Sequence, residues 1–134
     1  MPIVSAKKIE QLSRADDPAK AIKTALGNMD DFQTLGDLVL VGTYIQPEKR
    51  KSGLYLPKEA VAEDEYQGIV GLIVQMGPDA EKMAEEVNGP KLGDWVVYSI
   101  SHGWSMHLRD TPCRLVPYDK LRMRIVDPKV IYNA

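Results

Sequence analysis

A series of short strand-forming segments separated by turn residues begins at Leu35 and continues to the end of the chain. Each segment is rich in β-branched or aromatic residues, which fit the pleated, half-buried surface of a sheet. Several short strands of this kind, with turn signals between them, predict a mainly β fold, either a small barrel or a sandwich. The predicted strands span residues 38–45, 68–75, 95–100, 106–109, 113–116 and 121–126, and residues 130–132 favour one more edge strand.

The longest interruption of this pattern is the charged segment 47–68, PEKRKSGLYLPKEAVAEDEYQG, which lies between the first two predicted strands. A connection of this length inside a small domain is uncommon and is usually functional or disordered. Leu54, Tyr55 and Leu56 form its one compact apolar patch, directly after Gly53. Three apolar residues in a solvated loop cannot build a core, so we interpret them as an anchor for another protein.

Residues 1–34 do not follow the β pattern. The stretch PAKAIKTAL begins at Pro18 and is followed by Gly27 and Asn28, and proline at the start with glycine past the end is typical of a helix. Ala19, Ile22 and Leu26 fall on one face of that helix. So short an element needs packing partners to persist, and two remain open: its own domain, or a neighbouring subunit or other partner reached by an arm.

A second break in the β pattern covers residues 77–90, GPDAEKMAEEVNGP. Its middle, residues 79–87, favours a helix and is acidic, with Glu81, Glu85 and Glu86. Two interpretations are open: a solvated connection with one or two helical turns, or an element that faces a partner or caps a ring.

Composition excludes several classes of protein. The 134 residues suffice for one domain with a modest core, and 44% are hydrophobic, which argues against wholesale disorder. The net charge of −2 gives no general attraction to nucleic acid or membrane. Cys113 is the single cysteine, no apolar run approaches a membrane span, and the amino terminus has no apolar signal-peptide core. We therefore expect a soluble protein of the cytoplasm.

Catalytic and cofactor-binding patterns are absent from the sequence. The two histidines, His102 and His107, show no metal-ligand spacing, and no phosphate-binding glycine motif occurs. Ser105, His107 and Asp110 are the ingredients of a triad, but no oxyanion-hole motif accompanies them. We expect no enzyme, no metal site and no cofactor, and we expect Cys113 to be a buried, inert thiol.

Four arginines near the carboxyl end are candidates for a nucleic-acid surface. They lack interleaved aromatic residues and lie near Asp110 and Asp119, so we interpret them as a solvated or subunit-facing surface without nucleic-acid binding. These residues are Arg109, Arg114, Arg122 and Arg124.

The order of several short motifs resembles the GroES-type co-chaperonin family. Residues 37–41, DLVLV, look like its first barrel strand, and 52–57, SGLYLP, look like its mobile loop, in which glycine precedes an apolar triplet. Residues 67–70, QGIV, resemble its next strand, and 91–98, KLGDWVVY, match its Lys-x-Gly-Asp motif before apolar and aromatic residues. Residues 113–116 and 121–125 resemble its closing strands. The resemblance covers about residues 35–125.

This resemblance implies a GroES-like small β-barrel at 35–134, with a mobile loop at 47–67 and a roof-like acidic insertion at 77–90. Residues 1–34 would form an extension with a short helix. The family caps chaperonin rings, so Gly53, Leu54, Tyr55, Leu56 and Pro57 would bind a GroEL-type chaperonin from a homo-oligomer, heptameric by the resemblance.

Three departures from the family pattern stand out: the extra residues at the amino end, a helix-like segment in place of the roof hairpin, and Tyr55 in the middle of the triplet. Such divergence resembles bacteriophage-encoded relatives. The alternative function is therefore a virion structural or decoration protein that uses the same barrel against a viral capsid or assembly surface.

Overall fold

The computed structural model describes residues 17–45, 69–99 and 101–130. Within these ranges the chain forms two α-helices, six β-strands and three short 3₁₀ turns. The helices are α1 (Pro18–Leu26) and α2 (Pro78–Val87). The strands are β1 (Leu38–Thr43), β2 (Val70–Met76), β3 (Trp95–Tyr98), β4 (Trp104–Leu108), β5 (Thr111–Pro117) and β6 (Leu121–Ile125).

All six strands belong to one antiparallel sheet in the order β4-β5-β1-β2-β3-β6. Strands β1 and β2 lie at its centre, and β4 and β6 lie at its two edges. The register shifts between Leu40 and Val41 in β1 and between Val97 and Tyr98 in β3. Such irregularities bend a strand and increase its twist.

The sheet curls strongly, as a contact between β3 and β5 shows. These strands are three places apart, which in a flat sheet would separate them by about 14 Å. Nevertheless, the guanidinium carbon of Arg114 on β5 lies 5.9 Å from the centre of the Tyr98 ring on β3. The sheet therefore encloses an interior, as the predicted small β-barrel requires.

Strand β1 is buried on both faces because it separates two apolar layers. Val39 and Val41 point into the barrel, whereas Leu40 belongs to the outer layer. A strand covered on both sides reads as an unbroken apolar run, which explains the sequence LVLV. The buried inner cluster consists of Val39, Val41, Ile73, Ala80, Ala84, Val96, Tyr98, Val116 and Tyr118.

Helix α1 covers the outer layer of its own barrel. Asp17 caps it by accepting a hydrogen bond from the Lys20 amide, and Gly27 ends it with φ 69°. Ile22 and Leu26 are buried in the outer cluster with Leu72 and Trp95. Of the two partners considered for this helix, its own domain is the one it contacts.

Helix α2 closes the end of the barrel at which β1 begins. Pro78 starts it, and Asn88 ends it in the left-handed conformation with φ 52°. Ala80 and Ala84 are buried in the inner cluster, and the amides of Asp79 and Ala80 donate to the carbonyl of Gly36. The predicted helix at 79–87 is confirmed, with one more residue at its start.

One detail of the strand prediction is wrong. Val130 ends a 3₁₀ turn, Pro128–Val130, instead of starting an edge strand; Pro128 is fixed in φ and has no amide to donate to a sheet, and Ile131 and Tyr132 lie outside the described residues.

Candidate partner-binding site

The predicted partner-binding residues Gly53, Leu54, Tyr55, Leu56 and Pro57, like the whole segment 47–67, lie outside the described residues. The described residues do show where this segment leaves the barrel and returns to it. It connects β1 to β2, the two central strands of the sheet. Both strands pair with a neighbour on each side, so the loop is attached to strands that are held on both sides.

Hydrogen bonds and an aromatic contact fix the two ends of the loop. The amide of Tyr44 donates to the carbonyl of Val70 at 2.9 Å, and the amide of Tyr98 donates to the carbonyl of Ile69 at 2.9 Å. The Tyr44 ring meets Trp95 edge to face, with 5.7 Å between ring centres. Ile45, the last described residue before the loop, is 3% exposed. A rigid base therefore sets the two exit points side by side.

Inside the barrel near this base, the Arg114 side chain packs under Tyr98. Arg114 is 4% exposed, and its charge lies within cation–π range of the ring. Burial raises the pKa of Tyr98 to about 12, while the positive charge of Arg114 acts in the opposite direction. Tyr98 is thus held as a neutral phenol, and this pair contributes to the packing of the base.

The arginine cluster expected from the sequence does not form one surface. Arg114 lies inside the barrel, and Arg109 turns back onto the residues that follow α1. Only Arg122 and Arg124 share an exposed strand, β6. The interpretation of all four as a single solvated or subunit-facing surface is therefore wrong for Arg114, whose side chain points into the barrel and is buried. Arg109 is exposed, but it contacts the residues after α1 and does not share a surface with Arg122 and Arg124.

Arg109 and Gln75 hold residues 26–34 against the barrel. The Arg109 guanidinium donates to the carbonyls of Leu26 and Asn28, pairs with Asp31, and lies 5.1 Å from the centre of the Phe32 ring. Gln75 accepts from the amide and hydroxyl of Thr34 and donates to the carbonyl of Phe32. Nothing in the sequence pattern indicated these contacts, since each joins residues at least 41 positions apart.

The candidate triad does not gain support from the fold. Ser105 and His107 lie two residues apart on β4, opposite Arg114 and Pro112, and therefore side by side as expected for one face of a strand. Asp110 lies in the turn after β4 with φ 60°.

Cys113 is buried, and burial raises the pKa of its thiol to about 12, which disfavours the reactive thiolate. Among residues 17–45, 69–99 and 101–130 no group of three or more His, Cys, Asp or Glu side chains is arranged to hold a metal ion.

Neither α1 nor α2, the helices of the described ranges, is long and apolar enough to cross a membrane.

Comparison with known proteins agrees with the fold. The family model described as the chaperonin 10 kDa subunit matches residues 31–123, more than half of the chain. A search of curated proteins gives no match. The matched region starts after α1 and contains all the strands except the last residues of β6. With its mainly β architecture of a six-stranded antiparallel sheet, the chain belongs to the chaperonin 10 family, the GroES-type co-chaperonins.

Proposed function

We propose that this chain is a co-chaperonin subunit that assembles into a ring and caps the chamber of a GroEL-type chaperonin, so assisting ATP-dependent protein folding. The observation that carries the proposal is the family match across the segment between β1 and β2. In this proposal Leu54 and Leu56, with Tyr55 between them, insert into an apolar groove on each chaperonin subunit. Gly53 and Pro57 flank the motif.

The energetics of such a loop favour a ring. Burying a leucine side chain contributes roughly 1.5–3 kcal/mol, and ordering a loop on binding costs about 2–5 kcal/mol. One loop therefore binds weakly. Several loops carried on a common ring bind far more tightly, because each loop after the first binds at a high effective concentration. Weak single contacts keep the cap reversible, as an ATP-driven cycle requires.

The rigid loop base supports this mechanism. The two loop ends are fixed by the bonds of Tyr44 and Tyr98 to the β2 side, so the barrel defines the position from which each loop reaches its partner. A loop held at both ends explores less space than a free tail, which raises its effective concentration at the chaperonin. The ring would supply positioning and avidity, and no chemical step.

The test is the ATPase rate of a chaperonin mixed with the full-length protein. We expect the protein to slow ATP hydrolysis, and replacement of Leu54 and Leu56 by Ala to abolish the effect. Val61→Ala, an apolar truncation in the same loop outside the triplet, serves as the matched control and should retain it. No slowing with the chaperonin of the same cell, or equal slowing by the double variant, would contradict the proposal.

A further inference from the structure

We propose that helix α1 positions the loop between β1 and β2, so that docking of this helix on the barrel and binding of a chaperonin through the loop strengthen each other. This inference rests on the co-chaperonin function proposed above and names the part of the chain that tunes it. Helix α1 lies before residues 31–123, the region that the family model matches. It is therefore an addition to the region shared with the family, and its contacts show which part of the barrel it acts on.

One apolar layer joins α1 to the two ends of the loop. Ile22 and Leu26 of α1 are buried in the same cluster as Tyr44 and Ile45, which precede the loop, and Val70, at the start of the strand that follows it. None of these five residues is more than 7% exposed. Because protein interiors are close-packed and transmit strain, a displacement of α1 reaches the loop ends through direct packing.

Gly42 lies directly beneath the helix. Ile22 occupies the space that a side chain at residue 42 would need, and a glycine inside a strand often marks such a close approach. Side chains alternate between the two faces of a strand, so Tyr44, two residues further on, lies on the same face. Tyr44 meets Trp95 edge to face, and its amide donates to the carbonyl of Val70. The helix therefore packs beside the contacts that hold the loop ends.

Helix α1 is attached to the sheet without being part of it. Its nine residues are too few for a stable isolated helix, so it persists because Ile22 and Leu26 are buried and because Arg109 holds the residues after it. An element held by few buried contacts opens locally at a lower free energy than the whole fold. A docked and an open α1 are thus the two states that a coupling between helix and loop requires.

The docked state is the one that favours binding. While Ile22 and Leu26 are in place, Tyr44 and Ile45 stay covered and the loop starts from a fixed position. When α1 opens, the loop ends gain freedom, and a partner must order them again on binding, which weakens its affinity. Because such coupling is reciprocal, a bound chaperonin must favour the docked helix by the same factor.

Cys113 reports whether the helix is docked. It is the only cysteine in the chain and pairs with Gly42 across β1 and β5. It is 2% exposed in the cluster that contains Ile22 and Leu26, so opening of α1 uncovers it. The rate at which iodoacetamide alkylates Cys113, followed by the intact mass of this chain, measures that opening. Thiols of the chaperonin do not interfere, because the two chains differ in mass.

The test uses the full-length protein and measures two quantities: the alkylation rate of Cys113, and the protein concentration that gives half-maximal slowing of the chaperonin ATPase. Ile22→Ala with Leu26→Ala should raise the alkylation rate about tenfold or more and the half-maximal concentration about fivefold or more. Saturating chaperonin with ATP should slow alkylation of the wild type. The matched control is Val116→Ala, a truncation in the inner cluster, which should leave the half-maximal concentration unchanged.

A second control separates coupling from direct cover by the chaperonin. Thr24 is exposed on α1, so Thr24→Cys with Cys113→Ala moves the single thiol to the outer face of the helix. Saturating chaperonin should leave the alkylation rate of this thiol unchanged. Protection equal to that of Cys113 would mean that the chaperonin covers the helix itself, and it would overturn the inference.

If the double alanine variant is not folded at the assay temperature, Arg109→Asn releases the residues after α1 without changing the apolar layer and should shift both quantities in the same direction. Three outcomes would overturn the inference while leaving the co-chaperonin function intact: an alkylation rate that does not rise in the folded variants, a half-maximal concentration that stays at the wild-type value, or a wild-type alkylation rate that the chaperonin does not change. A wild type that does not slow the ATPase would instead reject the proposed function, and this inference with it.

Discussion

The guanidinium of Arg109, in the turn between β4 and β5, lies 2.6 Å from the carboxylate of Asp31, which follows helix α1. The same guanidinium donates to the carbonyls of Leu26 and Asn28. One side chain therefore binds the last turn of α1, the residues after it and the acidic 3₁₀ turn Met29–Asp31. This contact joins the first described helix, outside the family match, to a hairpin inside it.

Replacing Arg109 should loosen the amino-terminal helix. Arg109 and Asp110 form a two-residue turn with φ of 50° and 60°, a geometry that asparagine adopts readily. Arg109→Asn therefore preserves the turn and removes the clamp, by which we mean the contacts of Arg109 with Leu26, Asn28 and Asp31. We expect this variant to destabilise the fold by roughly 1–3 kcal/mol, because two carbonyls lose their charged hydrogen-bond donor. Chemical denaturation measures the change.

Hydrogen exchange distinguishes this clamp from a general stabilising effect. In the Arg109→Asn variant, exchange of the α1 amides should become faster relative to the wild type, and exchange of the β2 amides should change less. Asp31→Asn removes only the ion pair, which is partly exposed, so its effect should be smaller, at most about 1 kcal/mol. Equal stability of wild type and Arg109→Asn would show that the clamp does not hold α1.

Gly42 allows helix α1 to approach the sheet. A Cβ added at this position would lie 2.4 Å from Cγ2 of Ile22, which is buried. Gly42→Ala should therefore destabilise the protein by about 1–3 kcal/mol through overpacking, measured as a fall in the free energy of unfolding.

The companion variant Ile22→Ala makes this a test of one contact. Ile22→Ala alone should be destabilising, since it leaves a cavity. In the double variant the new methyl at position 42 enters that space, so the combined loss should be smaller than the sum of the two single losses. Strict additivity would mean that the two positions do not touch.

Gln75 connects β2 to the segment before β1. Its Oε1 accepts from the Thr34 amide at 2.9 Å and from the Thr34 hydroxyl at 2.7 Å, and its Nε2 donates to the Phe32 carbonyl at 2.7 Å. Gln75→Ala leaves these partly buried groups without their partner, which should cost about 1–3 kcal/mol. Gln75→Glu keeps both acceptor bonds and removes the donor, so an intermediate loss in a urea titration is expected; a neutral Gln75→Ala would contradict this role.

Two buried acids make the stability fall at high pH. Burial raises the pKa of Tyr98 from 10.0 to about 12 and the pKa of Cys113 from 9.0 to about 12. The folded state therefore binds protons more tightly than the unfolded state, and the resulting stabilisation is complete below about pH 9 and is lost as the pH rises towards 12.

The free energy of unfolding, measured by urea titration from pH 7 to pH 11, should therefore decline above pH 9. Cys113→Ala and Tyr98→Phe remove the two ionisations, and each should flatten part of the decline relative to the wild type. An unchanged slope in both variants would assign the decline to other groups. Because the pKa of Cys113 rises from 9.0 and that of Tyr98 from 10.0, both to about 12, the contribution of Cys113 should be the larger one.

Local rules were sufficient to predict several elements from the sequence. Helix α1 has the predicted bounds because Asp17, Pro18 and Gly27 are strong end signals. The apolar run of β1 indicated a strand, and the ordered motifs indicated the family that the family model confirms. The anchor residues Gly53–Pro57 remain a prediction, since they lie outside the described part of the chain.

Other features depend on which residues the fold brings together. Whether α1 packs on its own barrel was open in the sequence, because an amphipathic face shows only that a partner exists; Gly42, Gln75 and Arg109 decide it through contacts between distant positions. The four arginines looked alike in the sequence, yet Arg114 is buried and Arg122 is exposed. Sequence alone indicated most of the described elements and the family, since these follow from local signals. Tertiary structure decided which charges are buried, which are clamped and which remain on the surface, since burial depends on neighbours far away in the chain.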